Sequence, residues 1–383
     1  MFSKVTIRDG HDNFFTPIRL LFALMVLVGH AFVIALGTVE DEPAIFFHYR
    51  PSYLAVNLFF IASGFLVTKS MLYRKDMVEF GAARTLRIFP ALIAHVFFIL
   101  LLIGPLVTNL PLKQFLTDPG VWTQPFKVLT FADTDMVLPG VFTEETNAEN
   151  IGSGALWTLR YEVLAYIGTA AAFALGLLKH KWMLIAQFAV FALAWPIAHV
   201  IQVSNAVGNT VSLFETLPPT IQSILRFGLA YGLGSAIYAL QDRISFHVLG
   251  IVIFGLVAAL FNDTIFFEIA TTLWLGYIVF WMAYVEAPKL NILKKLSDTS
   301  YGIYIYHWVI LQTVWFVSVK YFGGGLGPWT LMSISLPIVV LLAWLSWHLI
   351  EKPMLKKKVS LSQFVKKRVG NHKKQDEIIQ PAE

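Results

Sequence analysis

Apolar residues run along the 383-residue chain in blocks of about 20, separated by short breaks that carry charge, Pro or Gly. A block of that length crosses a hydrocarbon core roughly 30 Å thick as an α-helix. Taking charge, Pro and Gly as boundaries predicts spans near 16–36, 52–72, 86–109, 155–178 and 181–202, then near 220–240, 244–262, 264–284, 298–319 and 328–350. The expected fold class is therefore an all-α polytopic membrane protein of about ten transmembrane helices. No internal repeat is visible.

Composition supports this reading. AVILMFWYC make up 57% of the chain and Asp, Glu, Lys and Arg only 14%, against about 25% charged residues in a soluble domain. A soluble globular enzyme is excluded. The absence of cysteine removes a disulfide framework, a thiolate nucleophile, Cys-ligated zinc and iron–sulfur chemistry. No metal is expected. The first apolar run is too long for a signal peptide and lacks a small-residue cleavage site, so it reads as a retained span.

Charge sets the sidedness. With the N-terminus cytoplasmic, 22 Lys and Arg fall in the cytoplasmic segments, and only Arg50, Lys113, Lys127 and Lys320 fall outside. That bias predicts both termini in the cytoplasm. Residues 1–351 then form the membrane domain and 352–383 a basic cytoplasmic tail, whose lysines and arginines suit anionic lipid headgroups better than nucleic acid. The long loop at about 110–154 is exported and acidic (Asp118, Asp133, Asp135, Glu144, Glu145, Glu149), which suits a substrate-facing cap.

Ionisable residues within spans are expensive unless paired or facing water, so each is a candidate for function. These are Arg19, His30, His95, Arg160, Glu162, His199, Arg226 and His307. A hydrogen-bonded structural role is the competing reading for every lone histidine, and for His95 and His199 it is the favoured one. Arg19 and His30, eleven residues apart, share one helix face and stand roughly 16 Å from each other. Counting inward from the outer face puts His30, Asn57, Arg160 and Glu162 at a similar depth. Glu162 would then orient the His30 imidazole as a catalytic triad carboxylate does; a purely structural Arg160 pairing with Glu162 or His30 is the alternative. On the cytoplasmic side Lys69, Arg74, Lys75, Arg84 and Arg87 gather, with Arg84 and Arg87 on one helix face, a pattern suited to phosphate or to topology alone.

Several segments resemble the integral-membrane acyltransferase-3 family, bacterial enzymes that O-acylate surface and secreted carbohydrates. They are Arg19 to His30, Phe59-Phe60-Ile61-Ala62-Ser63-Gly64-Phe65-Leu66, the Arg84–Arg87 pair with Pro90, Leu156-Trp157-Thr158-Leu159-Arg160-Tyr161-Glu162, Ser300-Tyr301-Gly302-Ile303-Tyr304-Ile305-Tyr306-His307-Trp308, and Glu351-Lys352-Pro353. They occur in the family's order and cover essentially the whole chain. Asn57 stands where many relatives have Asp, and Arg160 where many have a small or apolar residue. The chain is expected to act without the C-terminal esterase-like domain fused to some relatives.

The resemblance implies a multi-pass protein of the bacterial inner membrane that uses a cytoplasmic acyl-CoA, acetyl-CoA first, and an acceptor carbohydrate such as an O-unit, an exopolysaccharide or a lipid-linked glycan. On that reading Arg84 and Arg87, helped by Arg19 and Lys69, bind the donor phosphates. Pantetheine threads between the first spans to bring the thioester to His30, the general base or a covalent acyl carrier. Asn57, Arg160 or Trp157 would serve the oxyanion. Ser63 is either a nucleophile or a helix-packing residue, and Tyr304 and His307 either line the donor tunnel or bond across helices. A transporter or flippase is the alternative function, but it predicts an internal repeat.

Overall fold

A computed structural model describes residues 5–7, 13–144, 146–207 and 219–379. Its long helices are α1 (Phe15–Leu36), α2 (Pro51–Arg74) and α3 (Met77–Val107). The loop after α3 carries α4 (Leu112–Thr117) and α5 (Pro119–Leu129). Then come α6 (Leu159–Ala174), α7 (Lys181–Val207), α8 (Pro219–Leu240), α9 (Val248–Leu260), α10 (Phe267–Tyr284), α11 (Ser300–Phe322), α12 (Pro328–Lys356) and α13 (Lys358–Ile379). The described strands, Val5–Thr6 and Ser245–Phe246, pair antiparallel at one end of the bundle.

Among the described residues eight helices are long and apolar enough to cross a membrane. The expected spans at 155–178 and 244–262 appear as shorter helices of 16 and 13 residues. Local backbone explains α6: a 3-10 turn (Leu156–Thr158) precedes it, and Gly176 in the left-handed region (φ 72°) follows it. The third span starts at Met77 rather than near 86 because Asp76 caps it, accepting from the Val78 and Glu79 backbone amides at 3.0 Å. Only Lys75, itself left-handed (φ 54°), and Asp76 separate α2 from α3. The last span runs on past 350 to Lys356 through a π-helical turn at Trp347–Glu351. The basic tail continues as α13, which packs on α3 and pairs Lys366 with Asp76.

α11 is the central pillar, with 78% of its apolar window buried against 11% for α7 and 22% for α12. A helix buried on all sides carries apolar residues on every face, and α11 does, with His307 and Gln312 buried among them. It packs on α1 and α12, while α2 packs chiefly on α8. The α2–α8 contact is backbone on backbone: a Cβ at Gly64 would lie 2.0 Å from the Tyr231 carbonyl oxygen, and one at Gly234 would lie 2.0 Å from that of Ile61. Thr68 and Ser235 hydrogen-bond beside it at 2.9 Å. Small residues permit such approach where lipid gives helices no hydrophobic drive to associate.

The expected exported loop is ordered and lies at the end opposite the basic loops, with Phe115, Val121, Val128, Leu138 and Phe142 buried. Its last stretch is strapped onto the bundle: Asn147 Nδ2 donates to the Ile34 carbonyl (3.0 Å), Gln312 Nε2 to that of Ala148 (2.6 Å) and Trp308 Nε1 to that of Ile151 (3.2 Å). We term this the loop end and the other the basic end.

Gly64→Ala should lower the melting temperature by several degrees, an overpacking cost of about 1–3 kcal/mol. Gly81→Ala, whose Cβ meets nothing within 4 Å, should not. Equal melting of the two purified variants would refute the close-contact account.

Candidate active site

A cavity of about 470 Å³ opens at the basic end and runs inward between α1, α2, α3, α6 and α11. Arg19, Arg74, Arg84, Arg87 and Lys358 line it, so five cations meet there. Asp298, on the turn before α11, holds two of them: Arg19 NH1 lies 2.7 Å and Arg87 NH2 2.9 Å from the same carboxylate oxygen. Ser300 Oγ donates to the other oxygen at 2.7 Å. Arg87 also lies 3.6 Å from Glu351, which is fully buried in the π-helical turn of α12 and accepts from Ser346 Oγ at 3.1 Å. The rings of Tyr301 and Trp347 flank the Arg87 guanidinium.

Arg84 differs from these. Its guanidinium stands over Phe80 and Tyr166, 5.8 and 5.5 Å from the ring centroids, and its buried Nε has no hydrogen-bond partner. A buried donor left unpaired is costly, on the order of 1–3 kcal/mol, so Arg84 is the cation best placed to take an anionic ligand. Lys69 is not part of the lining. Arg74 and Lys358 stand at the mouth instead.

Deeper in the cavity lie Ser63 and Glu162. Glu162 does not reach His30: it accepts a hydrogen bond from Tyr166, one turn further along α6, because its face of the helix looks into the cavity. Asn57 faces α8 and α10, donating to Glu268 at 3.1 Å and accepting from Arg226 Nε at 2.7 Å. The buried Glu268 also takes the hydroxyls of Tyr49 and Tyr53. Arg160 is turned toward the strap, donating to the Trp157 carbonyl at 3.1 Å and to Thr134 Oγ1 at 3.0 Å. Equal depth placed Glu162, Asn57 and Arg160 beside His30 in the sequence reading; helix rotation separates them from it.

What meets His30 is His307. Nδ1 of His30 lies 2.7 Å from Nε2 of His307, and the rings stack at 5.0 Å. Nδ1 of His307 lies 3.1 Å from the Ile303 carbonyl oxygen. A carbonyl only accepts, so His307 Nδ1 carries the hydrogen and its Nε2 the lone pair. His30 Nδ1–H must then donate to it, which leaves the lone pair of His30 on Nε2. The pair is set as a base by a second imidazole rather than by a carboxylate. Trp308 closes edge-on over His30 at 4.9 Å. His95 is a separate buried group, with Nε2 3.1 Å from Ser153 Oγ; the His199 side chain lies outside the described residues.

The cavity stops just short of the pair. Its inner end, furthest from the basic mouth, is lined by Val56, Phe59, Phe60, Thr158 and Tyr304. Tyr304 donates to the Ala155 carbonyl at 2.9 Å and accepts from Thr158 at 2.6 Å. His307 is three residues further on, roughly 4.5 Å along the axis of α11. At the loop end the Glu42 carboxylate accepts from Ser52 N and Oγ, both at 2.6 Å, and presses on Gly29, where a Cβ would lie 2.1 Å away. Burial raises its pKa above the usual carboxylate range, against the lowering by Ser52.

Asp298, Glu351 and Lys358 escaped the sequence reading as site residues. Only the Glu-x-Pro match and the basic tail marked two of them.

Such a bundle, with a basic inward cavity ending at a buried histidine pair, is a multi-pass membrane protein with an enzyme-like interior. A family model described as an acyltransferase domain matches residues 13–348. The chain belongs to that family, acyltransferase-3. It is 26% identical over 348 residues to an O-acetyl transferase of Shigella phage Sf6, covering 90% of this chain and 96% of the relative. It is also 26% identical over 397 residues to Nodulation protein 10 of Rhizobium leguminosarum bv. viciae, covering 92% and 96%. No solved structure matches it significantly.

Asp298→Asn should leave two guanidiniums without their counter-charge and destabilise the fold by roughly 3 kcal/mol, as breaking a buried pair does. A wild-type melting temperature for that variant would contradict the role given to Asp298.

Proposed function

We propose that the protein is an O-acyltransferase of the bacterial cytoplasmic membrane, moving an acyl group, acetyl in the first place, from acyl-CoA at the basic end to a carbohydrate hydroxyl at the loop end. The observation that carries this reading is the hydrogen-bond chain Ile303–His307–His30, which frees His30 Nε2 one helical turn beyond a cation-lined cavity. The positive-inside bias supports a cytoplasmic mouth, and the O-acetyl transferase relative supports the acyl group.

The donor's phosphates bind Arg84, with Arg74 and Lys358 at the mouth. Arg19 and Arg87 are answered by Asp298 and Glu351 and shape the cavity wall. Pantetheine then occupies the cavity and brings the thioester to its closed end. The acceptor oxygen attacks the thioester carbon as its proton passes to His30 Nε2. The carbon–sulfur bond breaks, and the thiolate takes that proton from His30 on leaving. General-base help of this kind is worth about 10² to 10⁴-fold. His307 holds the tautomer and shares the developing charge, so it is a positioning residue. Asn57 and Arg160, engaged with Glu268 and Thr134, do not serve the oxyanion.

In detergent, His30→Ala should abolish acetyl-CoA turnover by at least about a hundredfold while keeping the thermal stabilisation that acetyl-CoA confers. Turnover near wild type in a folded His30→Ala protein would end the base assignment. Arg84→Glu should show the opposite pattern, losing the stabilisation by acetyl-CoA with the unliganded melting temperature intact. Undiminished stabilisation would remove Arg84 from the donor site.

A further inference from the structure

A second cavity, about 560 Å³, lies behind the closed end of the first, between α2, α6, α7 and α8. Its lining is mostly apolar, and the hydroxyls of Thr68, Thr169 and Tyr231 in it are paired: Thr169 with Tyr231 at 2.6 Å and Thr68 with its neighbour Ser235 at 2.9 Å. Phe60 lines both cavities. Its ring lies flat on Phe227 at 4.2 Å and 6°, and Tyr161 and Trp157 brace Phe227 at 5.2 and 5.8 Å. Both stacked rings are buried, 6% and 2% exposed, so the wall does not swing aside without disturbing its neighbours. Phe59, its neighbour in sequence, packs instead on Phe22 and Tyr304, toward α1 and α11.

We propose that Phe60 is the residue that restricts the donor to short acyl groups, by closing the thioester end of the donor cavity against a second apolar cavity able to hold a longer chain. The inference rests on the donor reading above. An acetyl group ends at the Phe60 ring; an octanoyl chain has six further carbons and no space for them on the donor side. Replacing the ring with a methyl group joins the two cavities. Each methylene then moved from water into apolar space favours binding by roughly fourfold.

The test uses the full chain in detergent with acetyl-CoA and octanoyl-CoA, reading free CoA release and thermal stabilisation. Wild type should prefer acetyl-CoA by at least about tenfold. Phe60→Ala should raise the octanoyl-to-acetyl ratio by about tenfold or more. Gly168 lines the second cavity, and a Cβ there meets nothing within 4 Å. Gly168→Phe added to Phe60→Ala should therefore cancel the gain, and alone should leave acetyl turnover unchanged. If Phe60→Ala does not fold, Phe60→Leu read with butyryl-CoA replaces it. An unchanged ratio, a gain that survives Gly168→Phe, or a wild type that takes octanoyl as well as acetyl overturns the inference alone. No turnover or binding of acetyl-CoA by folded wild type overturns the donor reading with it.

Discussion

The basic end of the bundle closes on one carboxylate. Charges at membrane depth persist only when paired or in contact with water, and Arg19 of α1 and Arg87 of α3 both turn inward. Asp298, at the head of α11, answers both through a single oxygen. Arg87 carries the connection on to Glu351, where a π-helical turn in α12 aims that acid inward. Four helices are thus fixed around a polar junction rather than around a plug of side chains. The cavity is the space that this junction leaves open.

α11 transmits that constraint to the chemistry. From Asp298 the same helix presents Tyr301 and Tyr304 to the cavity, His307 to His30, and Trp308 and Gln312 to the strap at the loop end. About 14 Å of helix separates Asp298 from His307, which spans from ion cluster to base. The distance between the ion cluster and the histidine pair is set by a rigid rod, the most buried of the candidate spans among the described residues.

A second polar set in the bundle satisfies itself. Glu268, Asn57, Arg226, Tyr49 and Tyr53 make a closed set, with Arg226 over the Tyr53 ring at 3.3 Å. Arg160 ties α6 to Thr134 of the loop. These contacts hold the loop-end half of the bundle. They also leave the inner end of the cavity lined by hydroxyls and aromatic rings.

Length and polarity of the apolar blocks determined that the chain is a helical membrane bundle, because a helix in lipid must satisfy its own backbone. They also placed Arg19 and His30 on one face of α1, since that follows from the 100° step of a single helix. Asp76 capping α3 and the 3-10 turn before α6 shifted helix ends by several residues, which local composition marks poorly. Depth could be counted along each span, yet the rotation of one helix against another could not. For that reason Glu162, at the right height, faces Tyr166, while His307, read as either a tunnel residue or a bond across helices, meets His30. Asp298 was invisible as a site residue, since its partners come from α1 and α3, more than 200 positions away. Which polar groups meet is decided by helix packing, and packing depends on contacts such as Gly64 against Tyr231 that only the folded bundle contains.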